Sequence, residues 1–463
     1  MKDYHQVQKD RIKYHIQPFK NTVHRSSLIA PSMVGADTWI SFINHFLLKR
    51  GYKSVALKLS AIDKKGYLLD TKTIQVEEPK VYSLNLSNIF CEFNVKNFLI
   101  DFFSEKNLFI PFPAVIVSHL GKDFCNIVHS YNRILNDPFE NDQINKTQVL
   151  ESSIDLKING TFDTFFNLST GISELKNEEV FINYEKDKLK IKKKIKISVP
   201  RLSYKSFYLS KILPGKLDGG VVKIKQPIQN MFYGRLLSGQ INKKTKAFSA
   251  NHSYYVSSEK REYFNSSTSY KTYPYFNDFI NKISMYPIFS PCKLNVSIKI
   301  FSKNSTYISP VKKISSSSSE ALIININDVV VKSKLKNVSA FTVIVKTIKG
   351  KIPTRVNHQL IYGGIDKKNS LNSSIAVSLA NDDRFVPKNK KGFVWGQMIN
   401  HKDYNSKIGF CFYSPQGNKE KLKIDFYNSR GFIKTIKKDL YPKESLIIST
   451  NEIIKKKEFD FYW

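Results

Sequence analysis

Along most of the chain apolar and polar residues alternate with a period of two, and few windows carry apolar residues at the i, i+3, i+4 and i+7 positions of a helix. VALKLSAIDKKGYLL from Val55, LNVSIKIFSKNSTYI from Leu294 and LKIDFYNSRGFI from Leu422 each read as two strands around a polar turn. Such strands bury one face and wet the other, and the DKKG and NSRG turns supply the polar residues and glycine that tight hairpins need. VFINYEKDKLKIKKKIKISV from Val180 shows the same alternation with lysines on the outward face of a strand. After each hairpin comes a small residue and a short alternating piece that closes in Ile or Val. These pieces are SLNLSNI from Ser83, SFYLSKI from Ser206, ALIININDV from Ala321 and SLIISTNEI from Ser445. Their starts lie at domain-sized intervals, not at the spacing of a solenoid.

The pattern predicts an all-β protein, a tandem array of about four antiparallel β-sandwich units with few helices. The expected spans are 36–140, 150–262, 280–385 and 393–463, the fourth lacking its final strand. Pro, Asn, Asp and Lys accumulate at 137–148, 266–278 and 379–392, which read as connectors. WISFINH at Trp39 and WGQMINH at Trp395 match at the Trp and the Asn-His, as equivalent strands of two units would. The N-terminal segment 1–35 is unmatched, and residues 11–35, with His15, are expected to complete a unit. They would either add to the first sheet or close the fourth unit in the same or a neighbouring chain.

Composition narrows the class. Apolar residues make up 41% of the 463 positions, with 33 Phe and 24 Tyr, so each unit has the apolar surface to fold and general disorder is excluded. The net charge of +34 attracts polyanions, nucleic acid among them, without sequence preference. Only 10 of the 73 basic residues are Arg, however, and specific phosphate or base readers favour the bidentate guanidinium. Charge alone therefore reads first as solubilised strand faces. Cys91, Cys125, Cys292 and Cys411 lie far apart, without zinc spacing or a redox pair. With no apolar signal region and no long apolar run, the expectation is a cytoplasmic chain with neither cofactor nor membrane insertion.

The candidate chemistry centres on histidines that close apolar strands. His129 follows Ser83 at the interval at which His252 follows Ser206, and His358 follows Ala321 at a shorter one. No Asp, Glu or Cys recurs beside them, so neither a metal site nor a repeated general base is supported. His15, His129, His252 and His358 are read as repeated framework residues that brace the loop after a strand. Binding candidates are sought after His252. There Tyr254, Tyr255, Tyr263, Tyr270 and Tyr273 interleave with Lys260 and Arg261, rings and cations suited to stacking on sugars or bases while neutralising an acidic group.

GKIPTRVNHQLIYG, with Pro353 and His358, resembles the final strand of the small β-sandwich proteins of the sensory-rhodopsin-transducer family. Leu360 stands where that pattern has a basic residue. The resemblance implies a similar sandwich and a tendency to form homo-oligomers, and it transfers no site.

No phosphate loop, HExxH, GxSxG or recurrent carboxylate pair is present. The expected function is therefore non-enzymatic binding or scaffolding through loops at sandwich ends, with an acidic polysaccharide or a protein as partner. The alternatives are an enzyme of carbohydrate metabolism with its site in an inter-unit cleft, and nonspecific nucleic-acid binding.

Overall fold

The computed structural model describes residues 24–105, 114–134, 151–231, 233–256, 266–286, 293–302, 305–315, 318–353, 356–363, 373–378, 394–401, 406–411, 419–454 and 459–463. Strands dominate, and every strand pairing among these residues is antiparallel. None of their helices is long and apolar enough to cross a membrane. The chain forms two compact units, Met1–Lys260 and Arg261–Trp463.

The first unit contains two pairs of sheets. In the first pair, one sheet has the order β1 (His24–Pro31), β6 (Asn97–Ser104), β3 (Val55–Ile62), β4 (Leu68–Gln75). The other runs β5 (Val81–Asn85), β2 (Ala36–Ile43), β7 (Ile116–Gly121), β8 (Cys125–His129). Alternate residues of these strands, among them Ile40, Phe42, Leu57, Leu59, Ile100, Phe102 and Val117, fill one apolar cluster.

In the second pair, the longer sheet runs β13 (Leu189–Val199), β12 (Leu175–Lys186), β15 (Leu217–Lys225), β10 (Glu151–Ile158), β19 (Tyr254–Val256). Its companion runs β14 (Tyr204–Tyr208), β11 (Phe162–Ser169), β17 (Leu237–Asn242), β18 (Phe248–His252). β11 is buried at all eight positions because both its faces are covered. Phe166 and Leu168 enter the core of the second pair, whereas Phe165 joins the cluster of the first, along with Leu237, Ile241, Phe248 and Ala250. The short ladder of β9 (Asn132–Arg133) with β16 (Tyr233–Gly234) joins the two pairs again.

In the second unit, β20 (Thr268–Pro274), β26 (Ala340–Thr347), β22 (Leu294–Phe301) and β23 (Thr306–Ile308) form one sheet, with β24 (Lys312–Ile314) also on β22. The facing sheet runs β25 (Leu322–Asn325), β21 (Ile280–Met285), β27 (Asn357–Gly363), β28 (Ser373–Ser378). The remaining strands of this unit form three two-stranded ladders. They pair β29 (Met398–Asn400) with β34 (Asp460–Tyr462), β30 (Lys407–Cys411) with β33 (Ser445–Ser449), and β31 (Glu420–Asn428) with β32 (Gly431–Leu440).

The order of pairings recurs. With β23 and β24 counted together as one fourth strand and the two-residue β9 and β16 left uncounted, the first strand pairs with the sixth in β1–β6, β10–β15, β20–β26 and β29–β34, and the second with the fifth in β2–β5, β11–β14, β21–β25 and β30–β33. The recurring closing pieces of the sequence are each a fifth strand running into a short helix: Leu86–Ile89, Leu209–Lys211, Ile326–Ser333 and Thr450–Ile453. Asn85 and Asn325 accept backbone N–H bonds at two of these starts, and Ser449 with Glu452 forms a capping box at a third.

Three expectations need correction. Residues 266–278 are not a connector, since Thr268–Pro274 is the first strand of the third sandwich. Likewise β1 lies ahead of the span 36–140, so of the two places foreseen for residues 11–35, the described part takes the first sheet. In both cases a proline closes the strand and a turn follows, which placed the apparent boundary one strand late. Finally, WISFINH and WGQMINH are not equivalent. The first lies on β2, a second strand, whereas Met398–Asn400 pairs with β34 and is a first strand. Two short alternating strings can match without sharing a pairing partner.

Candidate functional site

His129 ends β8 and His252 ends β18, each opposite the first residue of the preceding strand, Ile116 and Leu237. In both, Nδ1 faces the carbonyl of the next residue, at 2.9 Å from Ser130 O and 3.2 Å from Ser253 O. A carbonyl only accepts, so each ring carries its proton on Nδ1 and turns the Nε2 lone pair away. The two Nε2 atoms meet 3.1 Å apart, and Arg235 donates from Nη1 to His252 Nε2 at 2.9 Å. The main chain repeats the same relation, with Ser130 N donating to Val115 O and Ser253 N to Leu236 O.

Burial, reinforced by the Arg235 charge, lowers His129 to about 4. The same two causes, with His129 adding to them, push His252 well below the ordinary histidine range. Both rings are neutral at physiological pH. Two acceptor nitrogens do not bond one another, so the junction of the two sandwiches is held here by Arg235, which donates to His252, and by contact of the two rings, whose centres lie 4.7 Å apart. Among the described residues, no group of three or more His, Cys, Asp or Glu is placed to hold a metal ion.

His358 is placed differently from the other two. It is the second residue of β27, a seventh strand, while His129 and His252 end eighth strands; the position matching theirs is Ser378. The shorter interval after Ala321 reflects this. Tyr273 of β20 brings its hydroxyl 2.7 Å from His358 Nε2, both residues are buried, and burial lowers the imidazole to about 3.

The aromatic stretch after His252 is not one loop. Tyr254 and Tyr255 lie on β19, opposite Ser153 and Ser152 of β10. Tyr270 and Tyr273 lie on β20, with Tyr273 in the core of the third sandwich. His15, Lys260, Arg261 and Tyr263 fall outside the described residues.

A site that sequence reasoning passed over lies on the outward face of the sheet that holds the two longest strands, β12 and β13. Phe181 of β12 has Lys194 of β13 on one side and Lys225 of β15 on the other. Two residues along, Asn183 lies between Lys192 and Lys223 in the same way. The second row continues through Ser153 to the register position of Tyr254, and the first through Glu151 to that of Val256. Phe181, Asn183, Lys223 and Lys225 line an open depression of about 230 Å³. Phe181 is 38% exposed, with the Lys194 ammonium 5.8 Å from its ring centre. Two ion pairs, Lys194 with Glu179 and Lys190 with Glu185, border this ground.

The face follows from strict alternation. Val180, Ile182 and Tyr184 turn into the core, so Phe181 and Asn183 must turn out, and opposite them Lys192 and Lys194 do the same. The lysine strand is legible in the sequence, where by itself it reads as solubilising charge. What the sequence withheld was the neighbour: β15 lies far along the chain and returns with two more lysines on the other side of Phe181.

Compared with protein-family models and with curated proteins, the chain matches none.

Proposed function

We propose that this is a non-enzymatic, tandem β-sandwich binding protein whose ligand is an acidic polysaccharide, held on the outward face of β13, β12 and β15. The observation that carries the reading is the ring of Phe181, half-open to solvent between Lys194 and Lys225, in a depression completed by Asn183 and Lys223. An exposed aromatic face offers a platform for the C–H face of a sugar, ammonium groups offset its acidic substituents, and an amide takes or gives hydrogen bonds to hydroxyls. Lysine suits this ligand, since sulfates and carboxylates scattered on a flexible chain need mobile point charges more than a fixed guanidinium fork.

The test is binding of the full chain to immobilised acidic polysaccharides, compared with a Lys223→Met/Lys225→Met variant. These side chains lie on an outward face, so the variant keeps the core intact. Affinity is expected to fall about ten-fold or more. Equal binding by the variant, or no binding of any acidic polysaccharide by the parent, overturns the proposal.

A further inference from the structure

The spacing of that face says more about its ligand. We infer that the face selects an acidic polysaccharide with one anionic group per disaccharide, lying across the strands with its uncharged sugar over Phe181. This inference rests on the anionic-glycan reading above and would fall with it. Lys194, Phe181 and Lys225 occupy directly paired positions on three adjacent strands. Neighbouring strands are about 4.8 Å apart, so the two lysine positions are about 10 Å apart with the ring midway. A polysaccharide advances by about two sugars over that distance, and acidic groups on alternate sugars would reach Lys194 and Lys225 in turn.

The ring enforces the alternation. An aromatic face is the negative end of its quadrupole, so a carboxylate on the middle sugar would meet repulsion as well as lose water, whereas a neutral sugar face packs on it. In the parallel row the middle position is Asn183, flanked by Lys192 and Lys223. Asn also carries no charge there, and its amide suits hydroxyl or acetamido groups. Both rows therefore read cation, neutral group, cation. A path along the strands has no such order, because Phe181 and Asn183 follow one another on β12 without an intervening cation on that face.

The full chain is titrated with oligosaccharides matched in number of sugars: an oligogalacturonate, charged at every residue; a hyaluronate oligomer, charged at every second residue; and a neutral dextran oligomer. Charge density alone favours the oligogalacturonate. The spacing predicts the reverse, with hyaluronate about ten-fold tighter, and a Phe181→Gln variant in which that preference collapses. Equal affinity for the two acidic ligands, or tighter binding of the oligogalacturonate, overturns the spacing inference and leaves the anionic-glycan reading intact. Binding of neither, or tighter binding of single-stranded DNA of similar length, overturns both. Dextran binding equal to hyaluronate binding overturns any role for the lysines.

Discussion

His129 and His252 face one another through Nε2 atoms 3.1 Å apart, and each fixes its tautomer on the carbonyl of the residue that follows it. Two strand endings in equivalent positions of the pairing order thus meet where their sandwiches touch. Because neither ring is exposed, its charging is coupled to the integrity of the first unit.

That coupling sets a pH dependence. His45, His119 and His129 are lowered by burial to about 3, 4 and 4, and burial holds His252 well below its ordinary range as well. In the unfolded chain the same groups titrate near 6.5. Between that value and about 4 the unfolded state binds protons that the folded state refuses, so stability is full above the unfolded value and falls as the pH drops. Each histidine contributes a slope of about 1.4 kcal/mol per pH unit within the window. Denaturant unfolding of the first unit at pH 7.5, 6 and 5 should show a progressive loss. His129→Asn, which cannot titrate, should reduce the slope even if it lowers stability overall. A flat profile would contradict the assignment.

In the second unit, Tyr273→Phe removes the hydroxyl that shares a hydrogen bond with His358 Nε2 and leaves a buried ring nitrogen without that bond. The expected cost is about 1–3 kcal/mol. Replacing His358 by Leu as well removes both polar partners, so the double variant should be less destabilised than the sum of the single ones. Additive effects in a double-mutant cycle would show that the two groups do not interact.

Gly239 permits the close approach of β17 to β18, next to the strand end that carries His252. A Cβ there would lie 2.0 Å from the carbonyl oxygen of Ser249 and 2.5 Å from the Cα of Ala250, backbone atoms that cannot turn aside. Gly239→Ala is therefore expected to destabilise the first unit by about 1–3 kcal/mol, as overpacking does. Gly160→Ala, where nothing lies within 4 Å, is the matched control and should change stability little. Equal melting temperatures for the two variants would count against the tight approach.

Much of the fold was legible because sandwich strands announce themselves by alternation. The hairpins from Val55, Val180, Leu294 and Leu422 are all present, and the closing pieces occupy equivalent places in the topology. What alternation does not encode is pairing at long range. It could not tell that Phe165 would leave its own sandwich for the core of another, nor that Met398 begins a first strand. The same limit hid the basic face. Lys192 and Lys194 are neighbours in sequence, but Lys223 and Lys225 reach them only through the β12–β15 ladder. His358 misled for a related reason, since a histidine near a strand end looks alike whether that strand is the seventh or the eighth.

Glu179 offers a test that separates binding from stability on one residue. Its carboxylate pairs with Lys194, beside the ring of Phe181, and both side chains are more than a third exposed. Exposed pairs of this kind contribute little to folding, about 0–1 kcal/mol. For an anionic ligand, however, the same carboxylate is a competitor that occupies a cation and repels the incoming charge. Glu179→Gln keeps the shape of the side chain and removes its charge. The melting temperature should stay within about 2 °C of the parent, consistent with so small a change in stability. Affinity for an acidic polysaccharide should rise several-fold at low salt, and the gain should shrink as salt screens the face. A variant that binds more weakly, or whose gain is insensitive to salt, would place the ligand elsewhere on the molecule.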